Sequence, residues 1–139
     1  MTPYVLDACA LIAYINDEEG ADLVSRLFDE SELGEARILM GKLNLLEVYY
    51  GIYRELGLNV ADEVLAEIKT LPIEIVSDLE DDLFRETARI KASYKVSLAD
   101  ALALGLASIS GSRIITSDHH EFDVIEKAEE EKIDFLWIR

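Results

Sequence analysis

Residues 4–15 read YVLDACALIAYI, an almost wholly apolar stretch that contains a single charged residue, Asp7. Residues 4–7 have the composition of a buried β-strand, and residues 8–14 that of a short helix after a tight connection. A buried carboxylate costs several kcal/mol unless it is protonated, paired or bound to a cation. Asp7, at the end of the predicted strand, is therefore a candidate functional residue.

Strand-like and helix-like segments alternate outward from this stretch. Further strands are predicted at 37–40, 73–76, 113–116 and 133–138, and helices at 8–14, 19–32, 44–56, 60–71, 79–94, 98–109 and 124–131. Such alternation predicts βαβ units, an α/β fold and a mostly parallel sheet covered on both faces. Because the sequence contains no linker, repeat or low-complexity tract, residues 1–139 are expected to form a single domain.

The composition restricts the class of protein. No apolar run approaches the ~18 residues of a membrane helix, and the N-terminus lacks the features of a signal peptide. Cys9 is the only cysteine, which excludes an internal disulfide and suits a cytoplasmic location. The net charge of −16 predicts that most of the surface repels nucleic acid. Most of the acids lie in polar segments typical of solvated helix faces, such as NDEEGAD (16–22) and EKAEEEK (126–132).

A small group of acids lies among apolar residues instead. Glu74 and Asp134 also interrupt apolar segments, but the two-residue period of a strand directs their side chains to solvent or to a sheet edge. Four acids remain as candidates for a functional site: Asp7, Glu47, Asp100 and Asp118.

Helix capping is an alternative explanation for three of these four acids. Asn44 and Ser97 are each followed three residues later by an acid, as in a capping box. Asp118 is a possible cap for the next helix, with Glu121 as its partner. Capping offers no such explanation for Asp7, because it is predicted to end a strand.

The predicted positions of the four acids favour a common site. Asp7 and Asp118 end predicted strands, and Glu47 and Asp100 lie in the predicted first turns of helices. In open α/β sheets, ligands bind outside the carboxyl ends of the strands. Neighbouring carboxylates cannot all stay ionised without a cation between them. Oxygen ligands with no obligatory histidine suit Mg²⁺, with Mn²⁺ as a second possibility.

These segments, in this order, resemble the PIN domain family, and most closely its VapC-type toxin ribonucleases. VLDACALIAYINDEEGAD resembles the family's opening strand and helix, NLLEVYYG its Asn-x-x-Glu segment, SLADALALGLA its third acidic segment and IITSDHHEFD its Thr-x-Asp segment. The resemblance covers essentially the whole chain. One departure is that Phe122 lies four residues after Asp118, where many relatives have a spacing of three. This leaves the roles of His119, His120 and Asp123 open.

The resemblance implies a three-layer PIN-like fold with about five strands, and Mg²⁺-dependent cleavage of RNA that leaves 5′-phosphate and 3′-hydroxyl ends. Asp7 and Asp100 are then the first choices for direct metal ligands. Glu47 and Asp118 complete the set directly or through water. Residues with supporting roles are expected to be Asn44, Ser97, Thr116 and Ser117.

One segment is basic enough to contact RNA. RETARIKASYK (85–95) carries Arg85, Arg89, Lys91 and Lys95, and the members of each successive pair lie four residues apart on one helix face. A strip that contacts phosphates and a solvated helix that balances neighbouring acids are both compatible with this pattern.

The resemblance also implies partners. Relatives typically form homodimers and are silenced by an antitoxin protein, and the charge of −16 suits a basic inhibitor. The helix that carries Glu47 also carries a cluster of three tyrosines, Tyr49, Tyr50 and Tyr53. Core packing is the ordinary explanation for such a stripe, and a dimer or antitoxin interface is the alternative.

Two other functions compete with the nuclease. A haloacid-dehalogenase-like phosphatase also has a Mg²⁺-binding Asp after its first strand, but it requires a second Asp where Cys9 stands. A non-catalytic PIN-like module that binds a protein partner is the stronger alternative. The presence of all four acids favours the enzyme over this module.

Overall fold

The computed structural model describes residues 1–139. The strands are β1 (Thr2–Leu6), β2 (Ala36–Gly41), β3 (Glu74–Val76), β4 (Arg113–Thr116) and β5 (Asp134–Trp137). The helices are α1 (Ala8–Ile15), α2 (Ala21–Glu32), α3 (Lys42–Leu56), α4 (Leu58–Ile68), α5 (Asp81–Ser93), α6 (Leu98–Ser110) and α7 (His119–Ala128). None of these helices combines the length and the apolar character needed to cross a membrane.

The five strands form one sheet in the order β3-β2-β1-β4-β5, and every neighbouring pair is parallel. The chain builds one half of the sheet outward from β1 and then crosses back to place β4 on the other side of β1. The register pairs Leu6 with Ile115, so β1 and β4 end close together. This change of direction between β1 and β4 is the position at which open α/β sheets form a binding crevice.

Alternation along the buried strands produces three layers. Val5 and Ile114 face a core that also contains apolar residues of α5, α6 and α7. Their neighbours Leu6 and Ile115 face the opposite core, which contains residues of α1 to α4. A parallel sheet with helices on both faces confirms the predicted α/β fold class.

Two helices begin at positions other than those predicted. α3 begins at Lys42 with Gly41 as its N-cap, so Asn44 lies inside the helix and the predicted capping box at Asn44 is wrong. α7 begins at His119 rather than near residue 124, because the Asp118 side chain caps it. Gly41 has no side chain to mark the start of a helix, and the polar residues 119–121 show no apolar periodicity.

Helices α5 and α6 pack closely where α6 has no side chain. A Cβ added at Gly105 would lie 2.7 Å from Thr87 Oγ1 and 3.2 Å from the Thr87 backbone nitrogen. Such distances are too short for an ordinary side chain, so glycine is required for this close approach. The contact fixes the position of α6, the helix that carries Asp100.

Candidate active site

Asp7 lies directly after β1 and is 2% exposed. Its Oδ1 accepts a hydrogen bond of 2.8 Å from the backbone N–H of Ala10, so Asp7 is the N-cap of α1. This corrects the expectation that capping does not apply to Asp7. The cap engages one carboxylate oxygen, and the second oxygen keeps its lone pairs for another ligand.

Burial is the main influence on the Asp7 carboxyl and raises its pKa to about 7. Hydrogen bonds from the Thr116 hydroxyl and the Ala10 amide act in the opposite direction. The negative charges of Asp100 and Asp118 raise the pKa further. Asp7 is thus a carboxylate whose ionised form lacks a compensating positive charge.

Asp118 follows β4, the strand beside β1. Its Oδ1 accepts a hydrogen bond of 3.1 Å from the backbone N–H of Glu121, which confirms the predicted cap of α7. The buried Thr116 hydroxyl accepts a hydrogen bond of 3.1 Å from the Asp118 backbone N–H. Because Thr116 also hydrogen-bonds the Asp7 carboxylate, this one side chain links both strand ends. Ser117, between Thr116 and Asp118 in the chain, is half-buried.

Asp100 lies in the first turn of α6, as predicted. The Ser97 hydroxyl accepts a hydrogen bond of 3.1 Å from the Asp100 backbone N–H, which confirms Ser97 as the N-cap. Burial raises the pKa of Asp100 to about 6, Ser97 opposes this shift, and the charges of Asp118 and Glu121 add to it. Glu121 was predicted only as a capping partner, so the effect of its charge on Asp100 was missed.

Glu47 lies in the second turn of α3, because that helix begins earlier than predicted. Burial raises its pKa, with a further contribution from Asp100. Buried Asn44, one turn before Glu47, donates a hydrogen bond of 2.9 Å from Nδ2 to the carbonyl of Ala99. Asn44 therefore holds α3 against the start of α6, which brings Glu47 near Asp100.

Gly41 makes this arrangement possible. A Cβ at Gly41 would lie 2.7 Å from Asn44 Oδ1 and 3.1 Å from the Leu102 side chain. Asn44 Oδ1 is itself buried without a hydrogen-bond partner. The first turn of α3 is thus packed against α6 with no room for a larger residue at position 41.

Cys9 gives an independent indication that the four acids share one region. Burial raises the pKa of its thiol to about 12, and all four predicted acids contribute through their charges. Cys9 is half-buried and lies on α1, two residues after Asp7. We call the region formed by Asp7, Glu47, Asp100 and Asp118 the acidic crevice.

The donors of the acidic crevice suit a hard cation, because all four are carboxylates and no positive side chain lowers the raised pKa values of Asp7, Glu47 and Asp100. No three of the side chains are arranged as a ready-made ion site. Asp7 and Asp118 each use Oδ1 as a helix cap and retain Oδ2. The set therefore fits Mg²⁺ or Mn²⁺ in its chemistry, with ligands shared between protein and water.

The structure separates the basic residues that were predicted to form one strip. Arg89 binds Glu86 and Glu129, each at 2.6 Å. Glu129 is the C-cap of α7, about 15 Å along that helix from Asp118. Arg89 is thus held by two carboxylates away from the acidic crevice, which agrees with the alternative of a helix that balances neighbouring acids. Its contact with RNA phosphate stays a prediction. We call Glu86, Arg89 and Glu129 the arginine clamp.

The other three basic residues of this set, Arg85, Lys91 and Lys95, lie on the surface. Arg85 is largely exposed and pairs with Asp81 at 3.0 Å. Lys95 is exposed in the segment between α5 and α6, where it lines a shallow surface depression together with Glu121. Lys95 therefore shares a surface depression with Glu121, an acid whose charge acts on Asp100.

His119 and Asp123, whose roles the sequence left open, bind each other. His119 Nδ1 lies 2.7 Å from Asp123 Oδ1, and His119 Nε2 lies 2.8 Å from the Arg139 carbonyl. Neither interaction involves the four acids. His120 is exposed.

The three tyrosines of α3 are less buried than core packing predicts. Tyr50 and Tyr53 are 44% and 47% exposed, so core packing is wrong for both. Tyr49 is half-buried and donates a hydrogen bond of 2.6 Å to Asp62. The neighbouring Leu46 is also half exposed, which leaves an apolar and aromatic face on α3.

Comparisons with known proteins give consistent results. The family described as the PIN domain matches residues 4–128. No curated protein matches the sequence at a significant level.

Three solved structures are similar over nearly the full length. They are DNA-bound VapBC from Salmonella typhimurium (TM-score 0.76, 19% identity, 100% of both chains), VapBC2 from Rickettsia felis bound to a fragment of promoter DNA (TM-score 0.76, 14% identity, 98% of both chains) and VapBC-1 from nontypeable Haemophilus influenzae (TM-score 0.72, 14% identity, 99% of this chain and 98% of that chain). At these identities the likeness shows a shared fold.

Proposed function

Because the chain belongs to the PIN domain family, as its acidic segments predicted, we propose that it is a metal-dependent endoribonuclease and the toxin of a toxin–antitoxin pair. The observation that carries the proposal is the acidic crevice. Its carboxylates come from four separate segments, and the charges of all four act on the Cys9 thiol, three residues after the end of β1 and two after Asp7. Helix capping uses one oxygen each of Asp7 and Asp118, and a bound cation would offset the repulsion between the ionised carboxylates.

Each acid has a role in this proposal. We assign Asp7 and Asp100 as the direct ligands, because burial and neighbouring acids raise the pKa of Asp7 to about 7 and that of Asp100 to about 6 and leave both without a compensating cation. Glu47 and Asp118 complete the set directly or through water, and one of them accepts a proton from the attacking water. Mg²⁺, or Mn²⁺ in its place, supplies the activation of that water and the stabilisation of the leaving oxygen.

RNA must approach a protein whose charge is −16. Lys95 is the side chain that we assign to phosphate contact, since it is exposed close to Glu121 and not bound in an ion pair. Ser117, half-buried between Thr116 and Asp118, is placed to hydrogen-bond substrate or a metal-bound water. A single lysine gives a weak electrostatic contribution, so most of the affinity for RNA must come from the cation and from contacts to bases.

The proposal includes protein partners. The similar solved structures are VapBC complexes. The face of α3 formed by Leu46, Tyr50 and Tyr53 has the aromatic and apolar composition of an interface, next to a crevice that attracts basic side chains. We assign a basic antitoxin and a second copy of the chain as its partners, and light scattering of the purified chain with and without Tyr53→Asp tests the dimer.

A cleavage assay tests the nuclease. Purified protein is incubated with structured and unstructured RNA in Mg²⁺, Mn²⁺ or chelator, beside the variant Asp7→Asn. Asparagine caps a helix about as well as aspartate, so this variant removes the charge and keeps the start of α1. We expect cleavage that requires a divalent ion and is lost in the variant, with unchanged circular dichroism. Cleavage that survives both chelator and mutation would refute the proposal, and the absence of any cleavage would favour the non-catalytic binding module.

A further inference from the structure

A column of aromatic rings runs from the core of the protein to its surface at β5. Phe122 and Phe135 are buried with their ring centroids 5.9 Å apart. Phe135 stacks on Trp137 at 5.5 Å and 13°, and Trp137 stacks on His119 at 3.8 Å and 12°. We call these four residues the aromatic column. It ends at His119, the exposed ring directly after Asp118 of the acidic crevice.

The end ring is held in a fixed orientation. Asp123 and the carbonyl of Arg139 bind the two nitrogens of His119, and Trp137 is held by a hydrogen bond of 2.9 Å from its Nε1 to Glu126. Trp137 covers one face of the imidazole. The His119 side chain nevertheless remains 49% exposed. Since its nitrogens and one face are in use, the part that remains accessible is the outer face of the ring.

We propose that the outer face of His119 is a stacking platform for a nucleobase of the RNA that the protein cleaves. The inference rests on the proposed nuclease function and adds a base-binding position to it. Aromatic rings bind single-stranded nucleic acid by stacking on successive bases. A platform that is already immobilised by Trp137, Asp123 and Arg139 loses little conformational entropy when a base binds.

The position of the platform suits a base close to the cleaved bond. The Cα atoms of His119 and Asp118 are adjacent in the chain and therefore ~3.8 Å apart. The platform is thus one residue away along the backbone from an acid of the crevice, which suits a base near a phosphate bound there. Because the net charge of −16 disfavours contacts to the phosphate backbone, base stacking is a form of affinity that this surface does not oppose.

A purely structural role for the aromatic column is the alternative, and it predicts a different result. In that case His119 only covers Trp137, and its removal lowers stability without changing the preference among bases. Two variants separate the roles. His119→Ala removes the platform, whereas His119→Phe keeps an aromatic face on Trp137 and gives up both hydrogen bonds.

Binding of fluorescein-labelled 12-mers of oligoadenylate and oligouridylate is measured by anisotropy for the full chain. Ca²⁺ replaces Mg²⁺ as the cation, and a gel verifies that the RNA stays intact. Adenine stacks more strongly than uracil, so we expect the wild-type protein to favour oligoadenylate. His119→Ala is expected to weaken oligoadenylate binding about 10-fold and to abolish the preference, while His119→Phe retains both.

His120→Ala is the matched control, because His120 is the adjacent exposed histidine and is not part of the aromatic column. We expect it to bind both RNAs like the wild type. The platform is wrong if His119→Ala keeps its affinity for oligoadenylate, or if it loses affinity for both RNAs to the same extent. Equal losses in both histidine variants, a folded His119→Phe that fails to bind, or a wild type that binds neither RNA also refute it.

This experiment and the cleavage assay fail independently. Metal-dependent cleavage together with unchanged binding by His119→Ala would leave the nuclease in place and refute the platform. Base-selective binding through His119 without metal-dependent cleavage would refute the nuclease, and with it the platform's role in cleavage, and would leave His119 as a base-binding position of a non-catalytic protein. Fluorescence of Trp137, the only tryptophan, gives a second readout, since a base on His119 adds a further ring to the column.

Discussion

The acidic crevice and the arginine clamp are both built around carboxylates, but only the clamp supplies its own cation. In the clamp, Arg89 lowers the pKa values of Glu86 and Glu129 by hydrogen bonding and charge. Hydroxyls of Ser108 and Tyr94 also donate hydrogen bonds to these two glutamates. The clamp is therefore a satisfied ion cluster that ties α5 to the end of α7.

In the acidic crevice the shifts have the opposite direction. Burial and mutual repulsion raise the pKa values of Asp7, Glu47 and Asp100, and no arginine or lysine opposes them. Acid content alone therefore does not identify a functional site in a chain with 29 acidic residues. The informative acids are those that the fold buries without a cation.

The largest expected effect concerns catalysis. Asp100→Asn removes one charge from the acidic crevice and should lower RNA cleavage by more than about 100-fold, because the variant loses part of the stabilisation of charge in the transition state. Initial rates of cleavage in Mg²⁺ measure this effect.

Glu74→Gln is the control, since Glu74 is an exposed carboxylate paired with Arg37. It should stay within twofold of the wild type. A similar loss in both variants would mean that the crevice acids have no special role.

A substitution in the arginine clamp should have the largest effect on the free energy of unfolding. Arg89→Met keeps the apolar stem but leaves Glu86 and Glu129 without their cation, and we expect the free energy of unfolding to fall by about 2–4 kcal/mol. Urea unfolding followed by circular dichroism gives this value.

Arg85→Met is the matched substitution on the same helix, because Arg85 forms an exposed ion pair with Asp81. Its cost should be within about 0.5 kcal/mol. Equal costs for both variants would contradict the distinction between a satisfied cluster and a surface pair.

Stability should also depend on pH in opposite ways in the two regions. Asp7 has a folded pKa of about 7 against an ordinary value of 3.8, so the folded state holds more protons between these limits. The contribution of Asp7 to stability therefore falls as pH rises from about 4 to 7. The glutamates of the clamp have lowered pKa values, so their contribution is present above their ordinary value of 4.5 and is lost as pH falls below it.

A cation that binds the acidic crevice should restore the lost stability at high pH. With Mg²⁺ or Mn²⁺ at ten times its Kd, we expect a gain of about 1.4 kcal/mol at pH 8, which corresponds to a rise of roughly 3–6 °C in Tm. At pH 5 the gain should be much smaller, because protons occupy Asp7 and Asp100. Differential scanning fluorimetry measures the rise in Tm at both pH values. An equal rise in Tm for Asp100→Asn would mean that the ion binds outside the acidic crevice.

The smallest effect tests a helix cap beside the acidic crevice. Ser97→Ala removes the hydroxyl that caps α6 and should lower the free energy of unfolding by about 1 kcal/mol, whereas Ser97→Thr keeps the cap. Chemical denaturation of both variants measures this difference in the free energy of unfolding. If the alanine variant is as stable as the threonine variant, the cap contributes nothing to the placement of Asp100.

Much of the acidic crevice was predictable because its determinants are local. Asp7 directly follows β1 and Asp118 lies two residues after the end of β4, both strands being visible as short apolar runs, and Asp100 lies three residues after the capping residue Ser97. Once those strands are parallel, their carboxyl ends must meet at one edge of the sheet. Glu74 and Asp134 were likewise set aside correctly from strand alternation, and each binds an arginine on the surface.

The contacts that sequence patterns did not reveal join distant parts of the chain. The position of Asn44 depends on Ala99, 55 residues away, and the ion pair that holds Arg89 involves Glu129, 40 residues away. The exposure of Tyr50 and Tyr53 was also not predicted, because the apolar spacing of a helix does not show whether its apolar face packs in the core or lies on the surface.

Local sequence patterns specify the alternation of strands and helices, and with it the edge of the sheet at which Asp7 and Asp118 lie. Which acids form an ion pair with a basic side chain depends on tertiary packing. Periodicity and capping act over a few residues and are encoded locally. Charge compensation depends on which side chains packing brings together, and packing paired Glu129 with Arg89 while it left Asp7 and Asp100 facing other acids.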